Sequence, residues 1–421
     1  MMIAWEFLTL FKPVELDNML LVFCDGTGSD GNLTLNSGES LKSGSDAKPQ
    51  YPSNVLFLSR AVKHLSGDNQ KRQMVLYLSG VGSEADFHAD SIGGAILIQA
   101  FGLSVASKIR DAYAFIAQNY EEGDEICLFG FSRGAYTVRK VAGLIDRIGL
   151  LRRDSLGYLF GIWLDLYQKK TPTIPPHTRK SIKIKCVGVW DTVGAAFGVI
   201  DALSIKDDSP LPNVEVALHA LALQENRQKF LPILWNQQKS GKLGPNQVFK
   251  QVWFPGAHCD VGGGYQFHEL SDLALIWMVG EIESFINLDT AFIQRCLQPN
   301  PKPWGTSQPR NAFLDIGFQP IELGLVGTET RLKDIRGDDV EVFHESLKFA
   351  PKLEFDSPLA KMITLSDLKQ KFHSGWSPNW APLNDFEKRC RDNWGKFPPE
   401  GPITFKTPST LLNAPKVSAK L

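Results

Sequence analysis

Glu125-Ile126-Cys127-Leu128-Phe129-Gly130-Phe131-Ser132-Arg133-Gly134-Ala135-Tyr136 is the stretch on which the reading of this chain turns. After Glu125 its opening residues are apolar enough for a strand buried on both faces. A helical period over Arg133–Ile148 follows at once. Between the two, Gly130, Ser132 and Gly134 fit G-x-S-x-G, a pattern that carries little weight alone. Its context gives it weight. A tight strand-to-helix turn strains the backbone and crowds its flanks, so small residues are needed on either side of the Ser. Such a turn lifts the Ser132 hydroxyl above the sheet edge, at the positive end of the helix. The competing reading is a glycine-rich turn in which Ser132 only caps the helix.

Working outward, four more runs read as strands: Met19–Cys24, Met74–Ser79, Ile182–Trp190 and Val248–Phe254. Helical patterns lie between or after them, over Asn54–Leu65, Leu103–Asn119, Val214–Phe230 and Asp272–Ile286. Alternating β and α with largely apolar strands implies a parallel sheet covered on both faces, hence an α/β fold. Two long segments at strand ends, Glu84–Gly102 and Ala195–Pro212, stand where open α/β sheets place lids and binding elements. The division expected is an N-terminal arm over 1–18, a catalytic domain over 19–290, a Pro- and Trp-rich C-terminal subdomain or wrapping segment over 291–396, and a tail over 397–421.

Composition narrows the function classes. The 45 Lys+Arg nearly balance 46 Asp+Glu for a net charge of −1, which lacks the basic excess of a nucleic-acid binder. Six scattered cysteines without a CxxC pair make neither a disulfide scaffold nor a structural zinc site. Apolar stretches such as Ala95–Ile98 and Ala274–Val279 fall far short of the ~18 residues that span a bilayer. The N-terminus lacks the basic region of a signal peptide, so a cytoplasmic location is the default expectation, with secretion without a cleaved peptide as the other route.

A serine nucleophile needs a base and an orienting acid, because its hydroxyl stays protonated at neutral pH. In the α/β-hydrolase order the acid and then the base follow the Ser, each after a strand. Asp191 ends the strand Ile182–Trp190, and His258 follows Val248–Phe254 in Pro255-Gly256-Ala257-His258-Cys259-Asp260. The catalytic candidates are therefore Ser132, Asp191 and His258. His64, His177 and His373 sit in polar or terminal positions, His88 in a candidate lid, and His219 within the expected helix. His268 lies beyond the Gly262–Gly264 turn. His344 is the alternative base, since Val340–Phe343 reads as a strand leading to it. For the oxyanion, the Arg133 backbone N–H is one donor, and Gly26 or Thr27, after the first strand, supplies the second. Asp25 would hold that loop, and Gly130, Gly134 and Asp260 complete the supporting set. Neither metal nor cofactor is implied.

These pieces occur in one order: Asp25-Gly26-Thr27, Ser53-Asn54-Val55, Gly80-Val81-Gly82, Gly130–Gly134 with Ala135-Tyr136, Trp190–Gly194, His219–Leu223 and Trp253–Tyr265. Over roughly residues 19–285 the series resembles the α/β-hydrolase domain of the type VI secretion phospholipase effectors and their bacterial and fungal relatives. The resemblance implies an α/β-hydrolase fold, a doubly wound, mainly parallel sheet with lid insertions, and a Ser132–Asp191–His258 site. In the effectors it implies cleavage of glycerophospholipid acyl esters. Gln224 departs from the Asp that often follows the His-Ala-Leu-Ala-Leu run, while Glu225 and Arg227 remain; Cys259 stands where Ser is usual.

The function expected is a serine hydrolase cleaving carboxylic esters, of lipids or phospholipids, through an acyl-enzyme. Its partners would be a small-molecule or lipid ester and, transiently, a membrane surface; Ile92–Leu103 and Ala195–Ile205 would shape the acyl pocket and lid. Two other readings compete. A catalytically inactive binding protein could keep the same fold. A phosphatase is suggested by Phe23-Cys24-Asp25-Gly26-Thr27, yet that chemistry needs an Asp where Phe23 stands. A calcium loop over Asp25–Asn36 fails on Asp30 and Asn36. Cys259 as a thiol nucleophile has no second base.

Overall fold

The computed structural model describes residues 16–31, 50–80, 94–194, 205, 212–236, 243–297, 303–315, 327–337, 341–354, 356–372 and 375–396, and the side chains of 94–103 are left aside. The N-terminal arm before residue 16, His88, His373, Ile92, the insertion 195–204 and the tail lie outside the described residues.

Eight strands form one sheet in the order β2-β1-β3-β4-β5-β6-β7-β8. They are β1 (Asp17–Cys24), β2 (Lys71–Leu78), β3 (Glu125–Phe131), β4 (Ile184–Trp190), β5 (Val214–Ala222), β6 (Val248–Phe254), β7 (Val342–His344) and β8 (Asn379–Ala381). Every neighbouring pair is parallel. The chain steps outward from β1 to β2, then returns to lay β3 on the other side of β1; each later strand adds beyond β3. That reversal opens a crevice beyond the C-terminal ends of β1 and β3, where open α/β sheets bind ligands. Asp25–Thr27 leaves β1 there, and Ser132 leaves β3.

The strands lack polar alternation because both faces are covered. On one face Leu20, Val22 and Cys24 of β1 pack with α2 (Gly94–Asn119), α3 (Arg133–Ile148) and α4 (Leu159–Tyr167). On the other, Met19, Leu21 and Phe23 pack with α1 (Asn54–Ala61) and with α6 (Glu269–Ile282), which follows the short α5 (His258–Gly262). The Phe23 and Phe129 rings stack there at 5.1 Å. This is the doubly wound α/β arrangement expected from the sequence.

One expectation needs correction. Val214–Phe230 is not a helix: Val214–Ala222 is β5, in register between β4 and β6, and the rest is a turn and a single 3-10 turn. The acid and base strands are therefore separated by one strand and are not consecutive. The C-terminal stretch also joins the main sheet. β7 pairs with β6 through Val252↔Val342 and Trp253↔Phe343, and β8 pairs with β7. A third apolar cluster of Leu221, Trp253, Ile335, Phe343 and Leu368 fastens this segment to β5 and β6. Among the described residues, no helix is long and apolar enough to cross a membrane.

Candidate active site

The turn after β3 puts Ser132 at φ 58°, ψ −124°, in the left-handed half of the map where side chains are rarely found. Glycine is required around it. A Cβ on Gly130 would lie 2.5 Å from the Gly134 oxygen, and one on Gly134 would lie 2.1 Å from the Cys24 oxygen and 2.5 Å from that of Asp25. The Asp25–Thr27 loop is thereby pressed against the first turn of α3. Ser132 precedes α3 but makes no side-chain cap hydrogen bond, so its hydroxyl is not spent on the helix. It is spent on His258: Ser132 Oγ is 2.8 Å from His258 Nε2. The other ring nitrogen, Nδ1, is 2.5 Å from Asp191 Oδ2. All three side chains are buried. Asp191 also sits at positive φ, 41°, at the end of β4.

His258 is held from several sides. Its backbone N–H donates to Glu225 Oε2 at 3.0 Å, and Glu225 is clamped by the Arg227 guanidinium at 2.7 and 2.8 Å. The Phe131 ring lies 4.6 Å from the imidazole and that of Phe230 5.0 Å, edge-on. The turn below it is fixed by Asp260, which accepts the Ala257 N–H and pairs with Arg310 at 2.5 Å. Gln224 locks the same loop, accepting the Gly256 N–H and donating to the Ile363 carbonyl at 3.1 Å. Burial, above all, lowers the pKa of His258 from the usual value, against the opposing pull of Asp191. The imidazole is then neutral at rest, as a base must be.

Asp191 is surrounded by donors. Burial alone would raise its pKa, but the charge and hydrogen bonds of Arg331, with His258 behind them, hold it well below the usual carboxylate range. Arg331 grips it with both terminal nitrogens, Nη1 on Oδ1 at 2.5 Å and Nη2 on Oδ2 at 2.8 Å. Sequence reasoning missed Arg331 altogether; it lies 140 positions from Asp191, in no motif. It also missed the role of Glu225, for which the resemblance offered the signal.

The oxyanion candidates divide. Arg133 opens α3, so its N–H lies in the first turn, at the positive end of the helix. The Gly26 N–H is taken by its own neighbour, donating to Asp25 Oδ1 at 2.6 Å. Asp25 also accepts hydroxyls from Ser53 at 2.8 Å and Tyr77 at 2.6 Å, which tie the loop to α1 and β2. Thr27 differs, because its Oγ1 is buried with no hydrogen-bond partner among the described residues. Of the two expected second donors, Gly26 has its N–H engaged, while the Thr27 hydroxyl has no partner among the described residues.

His344 is not brought to Ser132. Its Nε2 is 2.7 Å from Glu387 Oε1 and its Nδ1 2.7 Å from Ser346 Oγ, and its ring stacks on Phe254 at 4.3 Å. His219 is a strand residue whose Nε2 accepts the Thr192 N–H at 3.2 Å. Burial pushes the Cys259 thiol up to about 12, far from a thiolate nucleophile. Phe23 is fully buried in the sheet. Among the described residues, no group of three or more His, Cys, Asp or Glu is placed to hold a metal ion.

Comparison with known proteins gives the chain its relatives. It is 28% identical over 207 residues to the uncharacterized protein YEL023C of Saccharomyces cerevisiae, a match covering 43% of this chain and 30% of that protein. A solved structure of the Tle1 effector bound to the VgrG spike of a type VI secretion system aligns at 19% identity and a TM-score of 0.35, over 59% of this chain and 51% of that one. An uncharacterized protein from Pseudomonas aeruginosa aligns at 19% identity and a TM-score of 0.37, over 66% and 47%. The chain thus spans about a third of the yeast protein and about half of each solved chain. The sequence profile of the type VI secretion Tle1-like phospholipase effectors, catalytic domain, matches residues 18–281. The chain belongs to that family, one of lipid-ester hydrolases.

Proposed function

We infer that this chain is a serine esterase that cleaves the acyl ester of a lipid, a phospholipid in particular, through an acyl-enzyme. The observation that carries the reading is the relay Ser132 Oγ–His258 Nε2–His258 Nδ1–Asp191 Oδ2, at 2.8 and 2.5 Å, with the serine hydroxyl uncommitted to the helix. Ser132 Oγ attacks the ester carbonyl while its proton passes to His258 Nε2. Asp191 keeps Nδ1 protonated and stabilises the imidazolium. The carbonyl oxygen, now negative, is met by the Arg133 N–H and by Thr27. The tetrahedral adduct expels the alcohol, which leaves with the proton from Nε2. Water then gives a proton to the same nitrogen, attacks the acyl-serine, and releases the fatty acid as Ser132 recovers its hydrogen. A substrate of this class would come from a membrane or micelle surface by transient contact.

The test is labelling with a fluorophosphonate, followed by turnover on p-nitrophenyl butyrate, a long-chain p-nitrophenyl ester and phosphatidylcholine vesicles. Wild type should label and hydrolyse, and Ser132→Ala should do neither. Equal labelling of Ser132→Ala would refute the serine mechanism. Turnover of butyrate alone would remove the lipid assignment and leave the esterase.

A further inference from the structure

We propose that Arg331 is a positioning residue of the catalytic relay: it holds Asp191 in the one orientation that serves His258 and sets the pH at which His258 becomes a base. The inference rests on the reading of Ser132 and His258 as nucleophile and base. It reaches beyond that reading, because Arg331 lies outside the family's matched catalytic domain, in the stretch between β6 and β7.

The geometry is that of a lock. Asp191 Oδ1 accepts the Ala222 N–H at 2.9 Å and Arg331 Nη1; Oδ2 accepts Arg331 Nη2 and faces His258 Nδ1. The guanidinium reaches further, to the Ala222 carbonyl at 2.7 Å and the Phe230 carbonyl at 2.7 Å. Ala222 ends the strand beside β4, and the Phe230 ring touches the base. One planar fork therefore ties together the acid, the strand next to it and the aromatic wall of the imidazole. Arg331 and Asp191 are both fully buried. Rotation of this carboxylate, sealed from bulk solvent, would break two charge-assisted bonds at once.

The charge has a second effect. An acid held only by neutral donors offers its whole negative charge to the imidazolium. Here a cation already lies on both oxygens, so the imidazolium gains less, and His258 gives up its proton at lower pH. Of the other groups facing the pair, the Arg227 cation pulls His258 in the same direction and Glu225 pulls against it, but neither touches Asp191. Glu225 binds the His258 backbone and is itself neutralised by Arg227. His219, which adjoins Thr192 after Asp191, is held neutral by burial, and Arg139 lies beyond it over Trp235. The Cys259 thiol is protonated.

The experiment compares wild type, Arg331→Met, Asp191→Asn and the double variant Arg331→Met/Asp191→Asn on p-nitrophenyl butyrate across pH, with Ser132→Ala as the blank. In Arg331→Met the acid limb of kcat/KM should move up by about one pH unit, and the plateau should fall about tenfold or more. Arg331→Lys should keep the limb near the wild-type position and recover only part of the plateau, since an ammonium supplies charge without the fork. In the Asp191→Asn background the same Met substitution should cost nothing or raise the rate, because Arg331 is then an unpaired buried cation beside the base. This double variant buries no lone charge, so it decides the matter even if Arg331→Met fails to fold. An unmoved limb in a folded Arg331→Met, or a loss in the Asp191→Asn background as large as in wild type, would overturn the proposal. Activity surviving in Ser132→Ala would instead overturn the serine mechanism beneath it.

Discussion

Replacing Gly134 by Ala adds one methyl group where the loop carrying Thr27 is pressed against the nucleophile helix. The added Cβ would stand 2.1 Å from the Cys24 carbonyl oxygen and 2.5 Å from that of Asp25, against an ordinary contact of 3.4 Å or more. Both obstacles are backbone, so neither can swing aside as a side chain would. Either β1's C-terminal loop or the first turn of α3 must retreat by about 1 Å, a displacement that costs about a hundredfold when it falls between reacting groups. Overpacking of this kind also costs about 1–3 kcal/mol of stability. The expected result is a kcat/KM on p-nitrophenyl butyrate reduced about a hundredfold, mainly in kcat, with a lowered urea midpoint. Gly161→Ala is the matched control. Gly161 lies inside α4, and nothing stands within 4 Å of the added methyl. There the same change should stabilise by about 0.5–1 kcal/mol and leave the rate alone, because alanine is the better helix former. A Gly134→Ala enzyme within about threefold of wild type would show that the loop and the elbow are not coupled as drawn.

Two further substitutions separate structural histidines from the catalytic one. His344→Ala strips the partner from Oε1 of the fully buried Glu387, leaving Oε2 on the Asn384 N–H, and should cost about 3 kcal/mol in urea titration, while kcat of the folded fraction stays near wild type. Loss of kcat comparable to that in His258→Ala would return His344 to contention as the base. His219 concerns pH. Burial, then Arg139, lowers its pKa to about 3, so between about pH 6.5 and 3 the unfolded chain binds a proton that the folded chain refuses. Its contribution is present above the unfolded value and is lost as the pH falls, at about 1.4 kcal/mol per unit. Urea midpoints measured from about pH 6.5 to 4.5 should therefore fall less steeply in His219→Gln than in wild type. Parallel slopes would contradict a neutral buried imidazole.

What the sequence disclosed was local and dense. The strand, the elbow and the helix of residues 125–148 announce themselves because β3 is continuously apolar and α3 is amphipathic. Asp191 and His258 follow from their places after strands, and both fall in the relay. β5 was misread for a physical reason. Val214-Glu215-Val216-Ala217-Leu218-His219-Ala220-Leu221-Ala222 is rich in good helix formers, and a strand buried on both faces shows no alternation to set against them. β7 shows in the sequence as the run Val340–Phe343 before His344, whereas β8, at three residues, is too short to carry any period and exists because β7 offers an edge to pair with. Arg331 is the hardest case. A buried arginine looks in sequence like any surface arginine, and only the fold places it against a carboxylate 140 residues away. Gly26 and Thr27 are equivalent in the sequence, and only the fold, by putting Asp25 on the Gly26 N–H, tells them apart.

The reach of the Asp191–Arg331 pair also bears on the order in which the molecule is completed. Nucleophile, acid and base have all been synthesised once the chain passes residue 258, yet at that moment the acid has no cation. Without the two-pronged grip of the guanidinium the carboxylate is free to turn, and its hold on His258 Nδ1 is no longer fixed. The contact that prevents this closes a loop of 140 residues, and closures of that length form after local ones. A fragment cut to the matched span 18–281 would contain every member of the relay and still lack the side chain that holds Asp191 in place. On the proposed mechanism, the relay therefore depends on a residue C-terminal to the matched span, brought to it after the elbow has formed.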